Sequence, residues 1–242
     1  LSNITVLDIT NFLAGPYGSQ VMGDLGARVI KIEPPDGDIT RTTPPHFLKG
    51  ESAYYLSVNR NKESVVLNLK DKEGQALLLE MAKQADIVFE NYRPGVLDRL
   101  GIGYERLRRA NPRIVMCSIS GFGQDGPYRD RPAYDIIVQA MSGGMSMTGE
   151  EGGKAVRAGI PLGDLAAGMF GVIGSLSALA QVQATGEGAH IDVSMLDSQV
   201  SMLTYQAAYY LMSGEVPGLQ GNGHRSLTTY RAYACGDGTE IV

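Results

Sequence analysis

Short apolar runs alternate along the chain with longer segments in which apolar residues recur at helical spacing. The runs predict strands at 4–9, 28–33, 64–69, 86–90, 113–118 and 190–194. The longer segments predict helices up to 25, over 71–84, from 164 onward and over 195–212, with short helices at 96–100 and 104–110. Strands separated by helices indicate βαβ units. We therefore expect an α/β fold, with a Rossmann-like parallel sheet and helices on both faces.

Three details of this prediction can be checked residue by residue. The helix over 71–84 is expected to turn five residues inward, namely Ala76, Leu77, Leu79, Met81 and Ala82. Asp164 is expected at the N-cap of the next long helix. Gly26 is expected to end the first helix.

The stretch from Leu165 to Gly186 has no charged residue and is long enough to cross a bilayer. It contains several Gly, Ser and Gln residues, so we interpret it as a buried core helix, with a membrane span as the weaker alternative. The first residues lack the basic region and apolar core of a signal peptide. We expect a cytoplasmic protein that binds no membrane.

Composition narrows the function classes. Hydrophobic residues make up 43% and charged residues 19%, which is typical of a globular protein rather than a disordered one. The formal net charge of −5 gives no general basic field, so nucleic acid is not an expected partner. Two cysteines are too few for a disulfide framework, and together with three histidines they disfavour a metal centre, so we predict no metal site.

The chain is expected to divide into three parts. Residues 1–212 form a large domain, and residues 213–226, rich in Gly, Pro and polar residues, form a linker. Residues 227–242 would begin a smaller domain. The last residues look like the start of a strand, so the chain is expected to be part of a longer protein.

Charged residues near predicted strand ends suggest where a ligand binds, since parallel sheets bind ligands at the carboxyl ends of their strands. The loop after the first predicted strand lacks G-x-G-x-x-G, which disfavours dehydrogenases. No G-x-x-x-x-G-K-[ST] motif occurs, which disfavours P-loop NTPases. Lys70, Arg93 and Arg99 would bring positive charge to this edge. They suit a phosphorylated ligand, and solvated surface charge is an equally good interpretation.

Asp164 has two interpretations. As an N-cap it would stabilise the helix by about 1 kcal/mol. Alternatively, the helix dipole would keep the carboxylate ionised, and it would attack a carbonyl as a nucleophile. The residues alone favour the cap.

Several motifs in a fixed order carry a resemblance to a family. They are Ala14-Gly15-Pro16, Asp24-Leu25-Gly26-Ala27, Asn59-Arg60-Asn61-Lys62, Glu90-Asn91-Tyr92-Arg93-Pro94-Gly95, Ser120-Gly121-Phe122-Gly123 and Gly163-Asp164. The ordered set resembles the class III CoA-transferases, the family of formyl-CoA transferase and the carnitine CoA-transferases. The α-methylacyl-CoA racemases are related to them.

The resemblance implies a transfer of CoA from an acyl-CoA donor to a small carboxylic acid. Asp164 would be the nucleophile, through aspartyl anhydride and aspartyl-CoA thioester intermediates. Coenzyme A would be a substrate, with no permanently bound cofactor. The family also implies an interlocked homodimer.

The residues that the resemblance implies for CoA binding lie in several loops. They are Leu13, Ala14, Pro34, Leu67, Asn68, Leu69, Lys70, Asn91, Tyr92, Arg93, Arg99, Pro132, Ala133, Tyr134 and Asp135. Two depart from formyl-CoA transferase, which has Gln at the position of Leu13 and Arg at that of Pro34. These departures put formyl and oxalyl specificity in doubt and imply that the adenosine end is held differently.

Two other functions stay open. The racemases place a histidine base where this chain has Tyr134, and a phenol is a poor replacement for that base. The transferase is therefore favoured over a racemase or epimerase. A homologue that binds CoA without catalysis is the third possibility.

Overall fold

A six-stranded parallel sheet forms the centre of the computed structural model, which describes all residues from Leu1 to Val242. The strands of the chain are β1 (Thr5–Asp8), β2 (Arg28–Glu33), β3 (Phe47–Leu48), β4 (Glu51–Ser52), β5 (Lys62–Val66), β6 (Ile87–Glu90), β7 (Val115–Ser120), β8 (His190–Ser194), β9 (Tyr233–Ala234) and β10 (Glu240–Ile241). The large sheet has the order β5-β2-β1-β6-β7-β8, and every neighbouring pair in it is parallel. The pairs β3–β4 and β9–β10 are small antiparallel hairpins.

Nine α-helices accompany the strands. They are α1 (Ala14–Asp24), α2 (Ala53–Val58), α3 (Lys72–Ala82), α4 (Val96–Arg99), α5 (Tyr104–Ala110), α6 (Asp135–Met141), α7 (Leu162–Thr185), α8 (Met195–Ser201) and α9 (Tyr205–Ser213). Successive residues of a strand point to opposite faces, so Val6 and Leu7 of β1 enter different apolar clusters. One cluster packs α1 and α7 on the sheet and the other packs α3 and α5. The predicted α/β fold with a Rossmann-like parallel sheet is confirmed.

The boundaries of three predicted elements were wrong. Strand β5 begins at Lys62 rather than Ser64 and ends at Val66, because its pairing with β2 starts at Lys62. Strand β7 runs two residues further than predicted, to Ser120. The helix predicted over 195–212 is two helices, α8 and α9, separated near Thr204, whose φ of 48° cannot continue a right-handed helix.

The inward face of α3 was predicted only in part: three of the five expected residues do pack inward, namely Leu79, Met81 and Ala82. Ala76 and Leu77 are exposed, whereas Gly74, Leu78 and Ala82 are buried. The buried residues are spaced four apart, as one face of a helix requires. Gly74 selects this face, because a β-carbon at this residue would lie 2.0 Å from the carbonyl oxygen of Asn68.

Helix α7 is long and apolar enough to cross a membrane by length and composition alone. In the structure it packs along α1, α8 and β7, and its face with Ala167, Val172 and Val182 enters the apolar core. Helices α1 and α7 approach closely at glycine, since a β-carbon on Gly168 would lie 2.6 Å from the carbonyl oxygen of Ala14. This contact brings the start of α7 against the first loop.

The strand order changes direction at β1. The chain moves from β1 to β2 and β5 on one side and then to β6, β7 and β8 on the other. Loops that leave β1 and β6 therefore diverge and open a crevice at their carboxyl ends, the usual ligand site of such sheets.

Candidate active site

A cleft of about 430 Å³ occupies this crevice and reaches the first turn of α7. Ten of the residues predicted from the sequence line it, namely Leu13, Ala14, Asn91, Tyr92, Arg93, Pro132, Ala133, Tyr134, Asp135 and Asp164. They come from the loops after β1 and β6, the segment before α6 and the start of α7. The cleft thus brings together predicted residues as far apart in the sequence as Leu13 and Asp164.

Six predicted residues lie outside this cleft: Pro34, Leu67, Asn68, Leu69, Lys70 and Arg99. Several of these have local structural contacts. Asn68 donates from Nδ2 to Asp71 and accepts the backbone N–H of Lys70, so it shapes the turn into α3. Leu67 and Leu69 pack against the apolar cluster beneath α3.

Asp164 is the third residue of α7 and not its N-cap, which is Pro161. Its carboxyl lines the cleft and is half-buried. Burial and the nearby negative charge of Asp135 raise the pKa of Asp164 to about 7, although the backbone N–H of Ala14 acts in the opposite direction. The start of the helix was expected to keep this carboxylate ionised, whereas burial and Asp135 act toward the protonated form. Near neutral pH the protonated and ionised forms of Asp164 coexist.

Asp135 is tied to the same helix turn. Its Oδ1 accepts the backbone N–H of Gly163 over 2.8 Å, and its Oδ2 accepts Nε2 of Gln139 over 2.7 Å. The residue lies at the start of α6, directly after Tyr134. Two carboxyl groups thus share one end of the cleft, and one of them is held in place by hydrogen bonds.

The loops after β1 and β6 are joined by a reciprocal pair of hydrogen bonds. The backbone N–H of Asn11 donates to Oδ1 of Asn91 over 2.9 Å, and Nδ2 of Asn91 donates to the carbonyl of Asn11 over 2.8 Å. Phe12, the next residue, has a left-handed φ of 60°, which costs free energy for a side chain of this size. Asn91, a residue expected to contact CoA, therefore also fixes the shape of the first loop.

Two lysines with buried side chains donate hydrogen bonds to the backbone of the same loop and of the helix start that follows it. Lys31 donates to the carbonyl of Thr10 over 2.9 Å and pairs with Asp38 at 2.7 Å. Lys62 donates to the carbonyl of Pro16 over 2.9 Å and pairs with Asp8, also at 2.9 Å. Burial alone would raise the pKa of Asp8, but the charges of Lys62 and Lys31 and two hydroxyl donors lower that pKa to about 2. Asp8 therefore stays ionised at neutral pH.

A second cleft of about 230 Å³ adjoins the first and shares Arg93 with it. Glu90 lies at its base and accepts the backbone N–H of Tyr92 over 2.7 Å. Burial raises the pKa of Glu90 to about 7, against the effect of hydrogen bonds from Ser118 and Tyr92. Nε2 of His190 lies 2.8 Å from Oγ of Ser118, and the imidazole ring stacks on Tyr104, so both contacts give His190 a structural role.

The sequence argument missed several residues that line the main cleft. Tyr54 approaches from α2, and burial together with the charge of Asp164 raises the pKa of Tyr54 to about 12. Arg129 and Arg131 add two guanidinium groups to that of Arg93. Their only signal in the sequence is that they lie within three positions before Pro132, which begins a segment that was predicted.

The sequence matches the family model described as CoA-transferase family III over residues 1–242. The chain belongs to this family. The solved CAIB/BAIF family protein from Brucella suis superposes with a TM-score of 0.91 at 39% identity, over 97% of this chain and 63% of that protein. The resemblance seen in the ordered motifs is thereby confirmed.

Curated members of CoA-transferase family III resemble the chain along its length. It is 48% identical to the acetyl-CoA:oxalate CoA-transferase of Acetobacter aceti, over 99% of this chain and 62% of that enzyme. It is 44% identical to the human succinyl-CoA:glutarate CoA-transferase, over 100% of this chain and 56% of that enzyme. The chain therefore spans about three-fifths of the length of these relatives.

Proposed function

We propose that the protein transfers CoA from an acyl-CoA thioester to a small carboxylic acid, with Asp164 as the nucleophile. The observation that carries the proposal is the position of Asp164: a half-buried carboxyl on the first turn of α7, at the end of a cleft lined by loops after β1, β6 and β7. Membership of CoA-transferase family III supports the choice of chemistry.

The reaction proceeds by four exchanges at carbonyl carbon, and no oxidant or metal enters the balance. A carboxylate oxygen of Asp164 attacks the donor thioester, and the C–S bond breaks to give a mixed anhydride and CoA thiolate. The thiolate attacks the aspartyl carbonyl, which releases the donor acid and leaves an aspartyl-CoA thioester. The acceptor carboxylate then displaces CoA thiolate and forms a second anhydride. Attack of the thiolate on the acceptor carbonyl releases the new acyl-CoA and restores Asp164.

The electrostatics around Asp164 suit this role. Only the ionised carboxyl is a nucleophile, and a more basic carboxylate is a stronger one. A pKa of about 7 for Asp164 gives it more basicity than an exposed aspartate while leaving a large ionised fraction at neutral pH. The backbone N–H of Ala14, directed at the same carboxyl, is a candidate donor to an oxyanion formed there.

The names of the relatives favour a short dicarboxylic acid as acceptor. One relative acts on oxalate and another on glutarate, and both are named for acids with two carboxyl groups. Arg93, Arg129 and Arg131 make the cleft able to bind a second negative charge. Leu13 stands where formyl-CoA transferase has Gln, so the formyl and oxalyl specificity of that enzyme is not carried over to this chain.

A racemase finds less support. Tyr134, at the position of the second base of the racemases, is 69% exposed. The cleft that contains Asp164 also has no histidine among its lining residues.

The test of the transferase is the formation of a new acyl-CoA from succinyl-CoA and a panel of mono- and dicarboxylates, followed by chromatography. Transfer that Asp164→Asn abolishes, with CoA binding retained, supports the proposal. Exchange of the α-proton in deuterated water without transfer would instead support a racemase.

A further inference from the structure

Helix α7 begins without a side-chain cap of its own. Its N-cap residue is Pro161, whose ring offers no acceptor to the free N–H groups of the first turn. The acceptor comes from α6 instead, because Oδ1 of Asp135 binds the backbone N–H of Gly163. Asp164 follows Gly163 on this turn, so the position of the proposed nucleophile depends on where the carboxylate of Asp135 is held.

Gln139 holds the other oxygen of that carboxylate. It lies one turn further along α6 than Asp135, on the same face of the helix. Its Nε2 donates to Oδ2 of Asp135 over 2.7 Å. Only 2% of Gln139 is exposed, so solvent hardly competes for this hydrogen bond. Asp135 is thus fixed by one donor from its own helix and one from α7.

The same amide group also binds the segment that leads into α7. Nε2 of Gln139 donates to the carbonyl of Ile160 over 3.3 Å, and Oε1 accepts the backbone N–H of Ala158 over 2.8 Å. An amide side chain has two donor hydrogens and one acceptor oxygen, and here all of them are engaged. Gln139 therefore connects α6, the segment before α7 and, through Asp135, the first turn of α7.

Close packing links the position of Asp135 to the start of α7. A β-carbon on Gly163 would lie 2.9 Å from Cγ1 of Val138 and 3.2 Å from Oδ1 of Asp135. Helices α6 and α7 are therefore in contact at this turn, and the carboxylate has no space to shift toward Gly163. Without the bond from Gln139, Asp135 can move only away from Gly163, which would release the turn that carries Asp164.

We propose that Gln139 is a positioning residue for CoA transfer, which fixes the first turn of α7, and with it the carboxyl of Asp164, by holding Asp135. The inference rests on the proposed function, which makes Asp164 the nucleophile. Gln139 is not among the residues that line the cleft, so it acts without touching the substrate. A reacting group displaced by about 1 Å can slow a reaction on the order of 100-fold, while binding of the substrate elsewhere is little affected.

Steady-state kinetics of Gln139→Met separate positioning from binding. Methionine fills a similar volume but forms none of the hydrogen bonds of the amide. For transfer from succinyl-CoA to glutarate, kcat is expected to fall about tenfold or more, with the KM for succinyl-CoA within about twofold of wild type. An unchanged kcat overturns the proposal, and so does a loss confined to the KM for succinyl-CoA.

Asn111→Leu is the matched control. Nδ2 of Asn111 donates to the carbonyls of Ala82 and Ala85, and Oδ1 accepts the backbone N–H of Arg113. This side chain therefore also joins backbone segments through both of its polar atoms, but it lies before β7, at the end of the sheet opposite the cleft. The control is expected to be less stable and to keep the kcat of wild type. If it lowers kcat as much as Gln139→Met does, general loss of stability explains both variants and the proposal fails.

A double-mutant cycle with Asp135→Asn tests whether Gln139 acts through Asp135. Asparagine keeps an oxygen for the N–H of Gly163 but presents an amide nitrogen to Gln139, so the bond between the two side chains is already lost. Gln139→Met is therefore expected to lower kcat by a much smaller factor in this background than in wild type. Equal factors in the two backgrounds would overturn the proposal.

Gln139→Glu supplies a second variant with nearly the native shape. It keeps the acceptor for the N–H of Ala158 but sets a carboxylate against that of Asp135, so kcat is expected to fall. Adding Asp135→Asn restores a donor and an acceptor in the reverse order, and we expect the double variant to recover much of the lost kcat. A double variant no more active than Gln139→Glu contradicts the proposal.

Amide hydrogen exchange followed by mass spectrometry tests the same link without catalysis. In Gln139→Met, the peptide that carries the N–H groups of Ala158 and Gly163 is expected to exchange faster than in wild type, because both groups lose their fixed acceptors. The peptide that carries Asn111 should exchange as in wild type. Unchanged exchange at Ala158 and Gly163 overturns the proposal. Loss of transfer in Asp164→Asn is judged separately, so a failure of the proposed function and a failure of the positioning role are distinguishable.

Discussion

The backbone N–H of Gly163 donates to Oδ1 of Asp135 over 2.8 Å, and this hydrogen bond anchors a second carboxylate beside Asp164. Burial and the charge of Asp135 together raise the pKa of Asp164 to about 7. A neighbouring carboxylate therefore raises the pKa of the residue proposed as nucleophile. Asp135 has a positioning role in addition to the CoA contact implied by the family.

Asp135→Asn is expected to move the acid limb of the pH–rate profile to lower pH by about one unit. Asparagine keeps an oxygen that can accept the N–H of Gly163 but removes the negative charge, so the pKa of Asp164 falls toward its ordinary value. Activity of the ionised nucleophile then persists at more acidic pH. The measurement is kcat/KM for CoA transfer between pH 5 and 9, a range on the order of two units either side of that pKa.

Glu90→Gln is the control for this profile, because burial also raises the pKa of Glu90 to about 7. Glu90 lies in the second cleft, so its removal is expected to leave the acid limb in place. An acid limb that moves with Glu90→Gln and not with Asp135→Asn would refute the assignment to Asp164.

The same glutamate should make stability depend on pH. Because the pKa of Glu90 is higher in the folded state than its ordinary 4.5, folding favours the protonated form. The contribution of Glu90 to the free energy of unfolding is fully present below pH 4.5 and is lost as the pH rises through about 7. Between pH 5 and 8 the free energy of unfolding should fall less in Glu90→Gln than in wild type. The difference between the two decreases should be up to about 3 kcal/mol. Urea unfolding at the two pH values measures the difference, and parallel curves would contradict it.

Removing one member of the buried Asp8–Lys62 pair should strongly lower the free energy of unfolding. Both side chains are almost fully buried, so Lys62→Met leaves Asp8 short of its main counter-charge and frees the carbonyl of Pro16. The expected loss is about 3–5 kcal/mol in the free energy of unfolding. Arg28→Met breaks the exposed pair with Glu63 and serves as the control, with an expected loss much smaller than that of Lys62→Met, because solvent screens exposed charges. Similar losses for the two variants would show that the buried pair contributes no more to stability than the exposed pair does.

Gly168→Ala should separate α1 from α7. The added β-carbon would lie 2.6 Å from the carbonyl oxygen of Ala14 and 3.0 Å from the ring of Tyr17, and backbone cannot yield as a flexible side chain does. We expect a loss of about 1–3 kcal/mol in thermal or urea unfolding, despite the higher helix propensity of alanine. Ser177→Ala on the exposed side of α7 should be close to neutral. A neutral Gly168→Ala would mean that the helices do not approach this closely.

The sheet was predictable because its inner strands are short, apolar and separated by helices. The inner strands β2 and β6, and also the edge strand β8, are each found within a residue of the predicted position. Strand β5 was placed two residues late, since Lys62 opens it with a buried ammonium that the sequence presents as a surface charge. Serines extend β7 beyond its apolar run, and both Ser118 and Ser120 are buried.

The candidate site was predictable only where a motif marks it. The loops after β1 and β6 and the Gly163-Asp164 pair were found through the resemblance, and all of them meet at one cleft. Arg129 and Tyr54 lie in segments with no such motif, so only the folded chain brings them there. The raised pKa of Asp164 depends on Asp135, which is 29 positions earlier by number. Sequence patterns do not show that two residues so far apart in number lie close together in the fold.

Trapping of the enzyme-bound intermediate tests the central claim most directly. The protein is incubated with succinyl-CoA and no acceptor, treated with borohydride, digested and analysed by peptide mass spectrometry. We predict reduction of the Asp164 side chain to the alcohol, with the peptide that carries Asp135 unmodified and no reduction in Asp164→Asn. A protein that transfers CoA to an added acid but shows no modification of Asp164, or shows it on another carboxyl, would contradict the account.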